Sequence, residues 1–231
     1  ILYDDGELVF QRGPMTDESR GVVAMYTDFE DMAFSVDAAP GWIANADAVA
    51  RVSVRDAVHP ASLAFWFFGM AGCEAFDLAL LDTSGVTDMT AAFQGCGGVD
   101  LDLSGWDVSH VTTMSRMFAS CQSLRAVNLS GWNAANVVDF SYMFIDCPRL
   151  RDVNVAGWNT SGARDTSGMF QACSDLETLD LSGWDVSGVT SMVDMFSSCE
   201  SLAWVGFGGW NTSSVSLMLD MFLGCSSLVS L

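Results

Sequence analysis

The chain has 231 residues, half of them hydrophobic, which is enough to bury a large core. Its 29 acidic and 9 basic residues give a formal net charge of −20, and every basic residue is an arginine. This charge argues against nucleic acid and anionic lipid as partners, because both are held by basic side chains. No apolar run approaches the roughly 20 residues that cross a bilayer, so we expect no membrane insertion in this segment.

Residues 1–65 are predicted to form a β-rich capping region. Tyr3 to Phe10 is typical of a hairpin around an Asp-Gly turn, and residues 21–26 and 51–54 are typical of short strands. The aromatic run from Phe65 to Phe68 is predicted to plug the first coil of the segment that follows. We expect this cap to be continuous with that segment rather than a separate domain.

Residues 66–231 carry an internal repeat. Seven cysteines recur along it, at Cys73, Cys96, Cys121, Cys147, Cys173, Cys199 and Cys225. Their spacing is slightly shorter at the start and is constant from Cys121 onward. Tryptophans recur at the same interval from Trp106 to Trp210, and a phenylalanine precedes each of the last six cysteines at a fixed distance. Such a period is the signature of a stacked-repeat architecture. It predicts a solenoid of about six to seven repeats of 23–26 residues, the last one incomplete.

One repeat, from Leu176 to Leu202, indicates the structure of the unit. Its first part alternates apolar and polar residues, as a short strand with one buried face does. After the turn at Trp184, the apolar residues between Val189 and Leu202 follow a helical spacing. The predicted fold is therefore an α/β repeat, a right-handed leucine-rich-repeat-like solenoid with a parallel sheet on one face and helices on the other. The inward positions form a core ladder of Cys96, Cys121, Cys147, Cys173, Cys199, Cys225, Phe118, Phe144, Phe170, Phe196 and Phe222.

The repeat resembles one known family. The string LDLSGWDVS occurs at residues 101–109 and 179–187, and each copy is followed by VTxMxxMFxxC, at 111–121 and 189–199. This is similar to the 26-residue repeat of BspA-like bacterial surface proteins, which also occurs in mycoplasma surface lipoproteins. The resemblance covers about residues 66–231 and departs at Leu81, where the repeat has tryptophan. It implies an extracellular or cell-wall location in a bacterium and an adhesive role, with the anchoring signal outside this chain.

Catalytic chemistry has little support in the sequence, and we predict a protein that is not an enzyme and has no cofactor. Each cysteine occupies the same inward-facing position of its repeat, which favours buried thiols over disulfides or a metal site. A nucleophilic pair of Cys121 with His110 would need an accessible thiol, which the core position of the cysteine opposes. The Asp or Asn after each repeat tryptophan is typical of an Asx turn, and calcium binding there stays open.

The concave strand face is the best predicted binding surface. Side chains that alternate with the buried strand residues should point outward, and Trp204 breaks the repeat among them. The stacked tryptophans favour core packing over a sugar-binding strip. The expected ligand is an unidentified protein or glycan, such as one on a host surface. A structural spacer and a carbohydrate-binding accessory module are the alternatives. The candidate binding residues are Asp102, Asn128, Asp152, Asn154, Asp180 and Trp204.

Overall fold

A computed structural model describes residues 1–11, 22–24, 40–98 and 100–229, with only the backbone at 22–24. The described residues form ten short strands and, between the third and fourth, a 3-10 helix at Gly41–Ala48. The strands are β1 Leu2–Tyr3, β2 Glu7–Phe10, β3 Val22–Ala24, β4 Arg51–Val54, β5 Ala75–Asp77, β6 Asp100–Asp102, β7 Ala126–Asn128, β8 Asp152–Asn154, β9 Thr178–Asp180 and β10 Trp204–Gly206.

The amino-terminal strands share a sheet with β5, the strand of the first coil. β1 and β2 form the predicted antiparallel hairpin, with Gly6 in the left-handed conformation (φ 78°) that its tight turn requires. β2 then pairs in parallel with β4, and β4 pairs in parallel with β5, so the sheet order is β3-β1-β2-β4-β5. Strands on both sides of residue 65 thus share one sheet, while the exact boundary of the cap stays a prediction.

Aromatic side chains fill the space between the cap and the first coil. Phe10 stacks on Trp66 at 5.1 Å between ring centroids, and Trp42 meets Trp66 edge-on at 5.7 Å. The Trp42 indole N–H also donates to the Trp66 carbonyl at 2.6 Å. Phe67 is fully buried and stacks on Phe93 of the next coil at 4.8 Å. Part of the run from Phe65 to Phe68 therefore joins the cap core to the repeat core.

The parallel-sheet solenoid predicted from the repeat is confirmed. From β6 onward each coil contributes a three-residue strand. Equivalent residues of successive coils pair in parallel from β6 to β8, as Leu101 does with Val127, and again between β9 and β10. A second line of parallel bridges runs along another side of the coils, from Ser62 through Asp88 and Thr113 to Leu217. Where neighbouring strands pair, successive coils are therefore held at two places by backbone hydrogen bonds.

The helices predicted on the second face are wrong. In the part of the chain that the structure describes, the 3-10 helix of the cap is the only helix, and the segments before each cysteine are runs of turns. In the segment from Met192 to Cys199, alternate N–H groups donate to carbonyls of the next coil at 2.6 to 2.9 Å. Between them, the N–H groups of Met195, Ser197 and Cys199 donate to the carbonyl three residues earlier, at 3.0 to 3.4 Å.

Left-handed residues explain why these segments cannot be helices. Asp194 and Ser198 have φ values of 55° and 62°, and equivalent residues in the other coils are also positive. An L-residue in this conformation interrupts a right-handed helix, because it redirects the next peptide group. Here it turns alternate N–H groups toward the neighbouring coil. The apolar spacing that predicted a helix reflects burial, and turns of this kind bury the same side chains.

The left-handed position of Ala172 offers a test of this geometry. Ala172 has φ 60° and Gly224 occupies the equivalent position with φ 78°, so we expect Ala172→Gly to raise the free energy of unfolding by about 0.5 kcal/mol. In a helix the same change would lower it by about 1 kcal/mol. Urea denaturation measures the sign. Ala119→Gly, at a buried position outside the left-handed set, is the matched control and is expected to be destabilising.

The core between the sheet and the turns is a ladder of rings and thiols. Phe118, Phe144, Phe170 and Phe196 are fully buried and stack on one another at 5.2 to 5.8 Å. The cysteines are free thiols, and they form hydrogen bonds in addition to packing as small apolar residues. The thiol of Cys147, for example, donates to the carbonyl of Phe118 in the preceding coil at 3.0 Å. The ladder loosens at its end, where Phe222 and Cys225 are half-buried.

Candidate functional site

The candidate site is the outward surface of strands β5 to β10, here called the strand face. Strand alternation buries the middle residue and directs its neighbours to solvent. Asp102, Asp152, Asn154 and Asp180 are exposed and Asn128 is half-buried, as the alternation predicts. Whether any of these residues contacts a ligand stays a prediction.

Four of the six candidate residues lie around one groove. Asn128, Asp152, Asn154 and Asp180 line a depression of about 480 Å³ that crosses β7, β8 and β9. The groove lies where the sheet is interrupted between β8 and β9. Among the described strands, β8 pairs only with β7, and β9 pairs only with β10. Both remaining candidate residues, Asp102 and Trp204, lie outside this groove.

Short hydrogen bonds hold the exposed carboxylates in place. Asp102 Oδ1 accepts from the Ser104 N–H at 3.0 Å and from its hydroxyl at 2.7 Å, and also from the Asn128 side chain at 3.1 Å. These bonds lower the pKa of Asp102, and the bonds from Ser104 have the largest effect. Hydrogen bonds from Ser182 lower the pKa of Asp180 in the same way. Asp102 and Asp180 therefore keep their negative charge well below neutral pH.

Trp204 is the one large aromatic side chain on β10, and it is 41% exposed. Its ring lies over Gly206, where an added Cβ would be only 2.5 Å from the ring. The same Cβ would lie 3.1 Å from the Asp180 carboxylate, so the ring and this carboxylate are neighbours. Glycine at 206 is what allows an aromatic ring to lie along the strand here.

The regularly spaced tryptophans are core residues rather than a sugar-binding strip. Trp132, Trp158 and Trp184 are at most 5% exposed. Their indole N–H groups donate to the carbonyls of Leu103, Leu129 and Val155 in the preceding coils at 2.9 to 3.1 Å. Trp210 makes the same bond to Leu181 at 3.1 Å. These tryptophans tie successive coils together just after each strand.

The other chemical groups that the sequence offered do not converge. The Cys121 thiol is buried and donates to the Phe93 carbonyl, whereas the exposed His110 contacts Ser109 at 3.3 Å. Asp107 and Asp185 accept from the N–H two residues later at 2.9 Å, which is an Asx turn. Within the described ranges no three His, Cys, Asp or Glu side chains are grouped as metal ligands.

The sequence interpretation missed a second and larger groove, between β5 and β6. It measures about 620 Å³, and Asp77, Asp100 and Trp106 are among the residues that line it. Two signals in the sequence point to this place: Leu81 stands where other repeats have tryptophan, and the gap from Cys73 to Cys96 is shorter than every later one. Both indicate that the first coil differs from the rest.

The architecture is that of a repeat protein, a solenoid of similar coils with one strand per coil. A family model described as "Mycoplasma protein of unknown function, DUF285" matches residues 61–178 and 149–230. The chain belongs to this family. The match agrees with the resemblance of its repeat to that of BspA-like surface proteins. Among curated proteins, no sequence matches the chain.

Three solved structures are similar to the chain over nearly all of its length. A leucine-rich repeat protein from Bacteroides ovatus is 16% identical, with a TM-score of 0.33 and coverage of 97% of this chain and 74% of the other. The T. pallidum leucine-rich repeat protein TpLRR is 14% identical, with a TM-score of 0.27 and coverages of 98% and 79%. A leucine-rich cell surface protein from Faecalibacterium prausnitzii is 11% identical, with a TM-score of 0.26 and coverages of 97% and 80%.

No helix among the described residues has the length and apolar character that a bilayer span requires.

Proposed function

We propose that this protein is a non-catalytic interaction module of a bacterial surface, which binds a host or matrix protein through the strand face. The observation that carries the proposal is Trp204. The regularly spaced tryptophans of the repeat are buried or half-buried, but this ring lies exposed over Gly206 and beside the Asp180 carboxylate. Exposed aromatic rings in such settings are frequent hot spots of protein interfaces.

The charge of the chain supports a protein ligand with basic residues. The net charge is −20, and Asp102, Asp152 and Asp180 are exposed on the strand face. Complementary charge raises the rate of association and excludes acidic partners. Binding is therefore expected to weaken as ionic strength rises, because salt screens exposed charges over about 8 Å at physiological concentration.

The surface location rests on the family. The chain belongs to a family whose description names Mycoplasma, and its repeat resembles that of BspA-like surface proteins. A non-catalytic role agrees with the placement of Cys121 and His110, because the thiol lies in the core and the imidazole at the surface. A carbohydrate-binding accessory module and a structural spacer are the competing functions.

The test is a pull-down from host surface and matrix extracts with the 231-residue chain as bait, together with a glycan array. We expect wild type to retain a protein whose binding falls about tenfold or more in Trp204→Ala, while Trp204→Phe retains most of it. Val138→Ala, at an exposed apolar residue outside the strands, is the matched control. Loss of glycan binding in Trp204→Ala would favour the carbohydrate module, and no capture by wild type would favour the spacer.

A further inference from the structure

The strands β5 and β6 belong to successive coils, but their facing edges are not paired. β5 pairs only with β4, and β6 only with β7, so in the described sheets these edges have no ladder partner. The turn sides of the same two coils stay in contact. Asp88 bridges to Thr113, and Phe93 stacks on Phe118 at 5.4 Å. The two coils are joined at one side and open at the strand side.

The opening is the groove of about 620 Å³, which falls in the size range of ligand sites. Its apolar lining includes Phe76, Leu78, Leu101 and Trp106. Its charged lining is entirely acidic and consists of Glu74, Asp77, Asp100 and Asp102. The side chains of Asp77 and Asp100 are exposed and make no hydrogen bond or ion pair within the described part of the chain.

The indole of Trp106 lacks the bond that the equivalent tryptophans make. The indole N–H groups of Trp132, Trp158, Trp184 and Trp210 donate to the carbonyl that directly follows the strand of the preceding coil. The corresponding carbonyl for Trp106 is that of Leu78, on the opposite wall of the groove.

Trp106 therefore has an indole donor without a protein acceptor. Its side chain is only 8% exposed, and its N–H finds no acceptor among the residues that the structure describes. A ligand that fills the groove takes water away from this N–H, and a donor that is buried without a partner weakens binding. The ligand must therefore bring an acceptor of its own, and a peptide carbonyl is an acceptor of the right kind.

We propose that this groove binds an extended peptide rich in lysine or arginine, which pairs with the open edges of β5 and β6. Unpaired strand edges accept an added strand through main-chain hydrogen bonds. One peptide carbonyl accepts from the Trp106 indole, and cationic side chains pair with Asp77 and Asp100. This inference deepens the proposed function, since it names the ligand chemistry of one part of the strand face and rests on that function.

The experiment uses two fluorescein-labelled hexapeptides, Lys-Val-Lys-Val-Lys-Val and Glu-Val-Glu-Val-Glu-Val, and fluorescence anisotropy with the whole 231-residue chain. We expect wild type to bind the lysine peptide at least tenfold more tightly than the glutamate peptide. The double variant Asp77→Asn with Asp100→Asn is expected to bind the lysine peptide at least tenfold more weakly. Trp106→Phe, which keeps a ring but removes the N–H, is expected to lose affinity as well.

Asp47→Asn is the matched control, because it removes one exposed carboxylate of the 3-10 helix, outside the strand face and this groove, and should leave peptide binding unchanged. Thermal melts establish that each variant is folded, and the exposed pair Asp77 and Asp100 keeps the test decisive if Trp106→Phe unfolds. Equal binding of both peptides, or unchanged binding in the double variant, would overturn the inference. Capture of a host protein that depends on Trp204 but not on Asp77 and Asp100 would support the proposed function and overturn the inference of a peptide site in this groove.

Discussion

The free energy of unfolding is expected to fall steeply as the pH rises from about 9 to about 11. Burial raises the pKa of the Cys73 thiol from its ordinary value near 9 to about 11, and that of Cys199 to about 12. Burial also raises the pKa of Cys96, Cys147 and Cys173 well above the ordinary value. The folded state thus holds these five thiols protonated at a pH where the unfolded chain releases their protons.

The size of the effect follows from proton linkage. Above pH 9 the unfolded state binds fewer protons than the folded state, so each such thiol lowers the free energy of unfolding by about 1.4 kcal/mol per pH unit. Five thiols together cost about 7 kcal/mol per pH unit, which is comparable with the whole stability of a typical domain. The contribution is fully present below pH 9 and is lost as the pH approaches the folded pKa values.

Urea denaturation at pH 7.5, 9, 9.5 and 10, with a reductant present, measures this slope. Cys173→Ala is the informative variant, because it removes one fully buried thiol. It is expected to be less stable at neutral pH but to lose about 1.4 kcal/mol less per pH unit above pH 9. A wild-type loss of less than this single-thiol amount per pH unit would show that the thiols ionise freely in the folded protein.

Phe170→Ala is expected to lower the free energy of unfolding by about 3–5 kcal/mol. The ring is fully buried in the middle of the stack, with Phe144 at 5.4 Å on one side and Phe196 at 5.8 Å on the other. Its loss opens a cavity between two coils that depend on each other for burial. Because the stability of a solenoid is close to a sum over neighbouring coils, the substitution weakens two interfaces.

Two comparisons make this measurement specific. Phe222 stacks on Phe196 at 5.3 Å but is half-buried near the end of the stack, so Phe222→Ala is expected to cost clearly less. Trp204→Ala removes a side chain that is 41% exposed and is expected to cost least of the three. Chemical denaturation at pH 7 ranks the variants. A larger loss in Trp204→Ala than in Phe170→Ala would mean that the inward and outward positions have been exchanged.

The periodic positions were predictable because they report burial. A cysteine or phenylalanine that recurs once in every repeat must meet its own equivalent in the next coil, whatever the backbone does between them. The strands were predictable for a related reason, since the alternation around Leu179 and Leu181 leaves one face apolar. The hairpin of the cap followed from its Asp-Gly turn, with Gly6 at φ 78°.

The helices were mispredicted because apolar spacing does not identify hydrogen-bond partners. Val189 to Leu202 has the spacing of a buried helix face, yet alternate N–H groups bond to the next coil. Some local signals did favour turns, such as Gly168 within one segment and Asp or Ser at the left-handed positions 194 and 198. The neighbouring coil decides the outcome, because it supplies the acceptors that make an open turn as well bonded as a helix.

The sequence by itself determined the repeat, the residues of the core, the places of the strands and the acidic strand face. Each of these depends on the chemical character of residues at a constant spacing. The tertiary structure decided which backbone groups pair between coils and where the sheet opens, including the groove beside Trp106. The physical reason is that hydrogen bonds between coils depend on the distance in space between segments that lie one full repeat apart along the chain, which no local pattern of residues encodes.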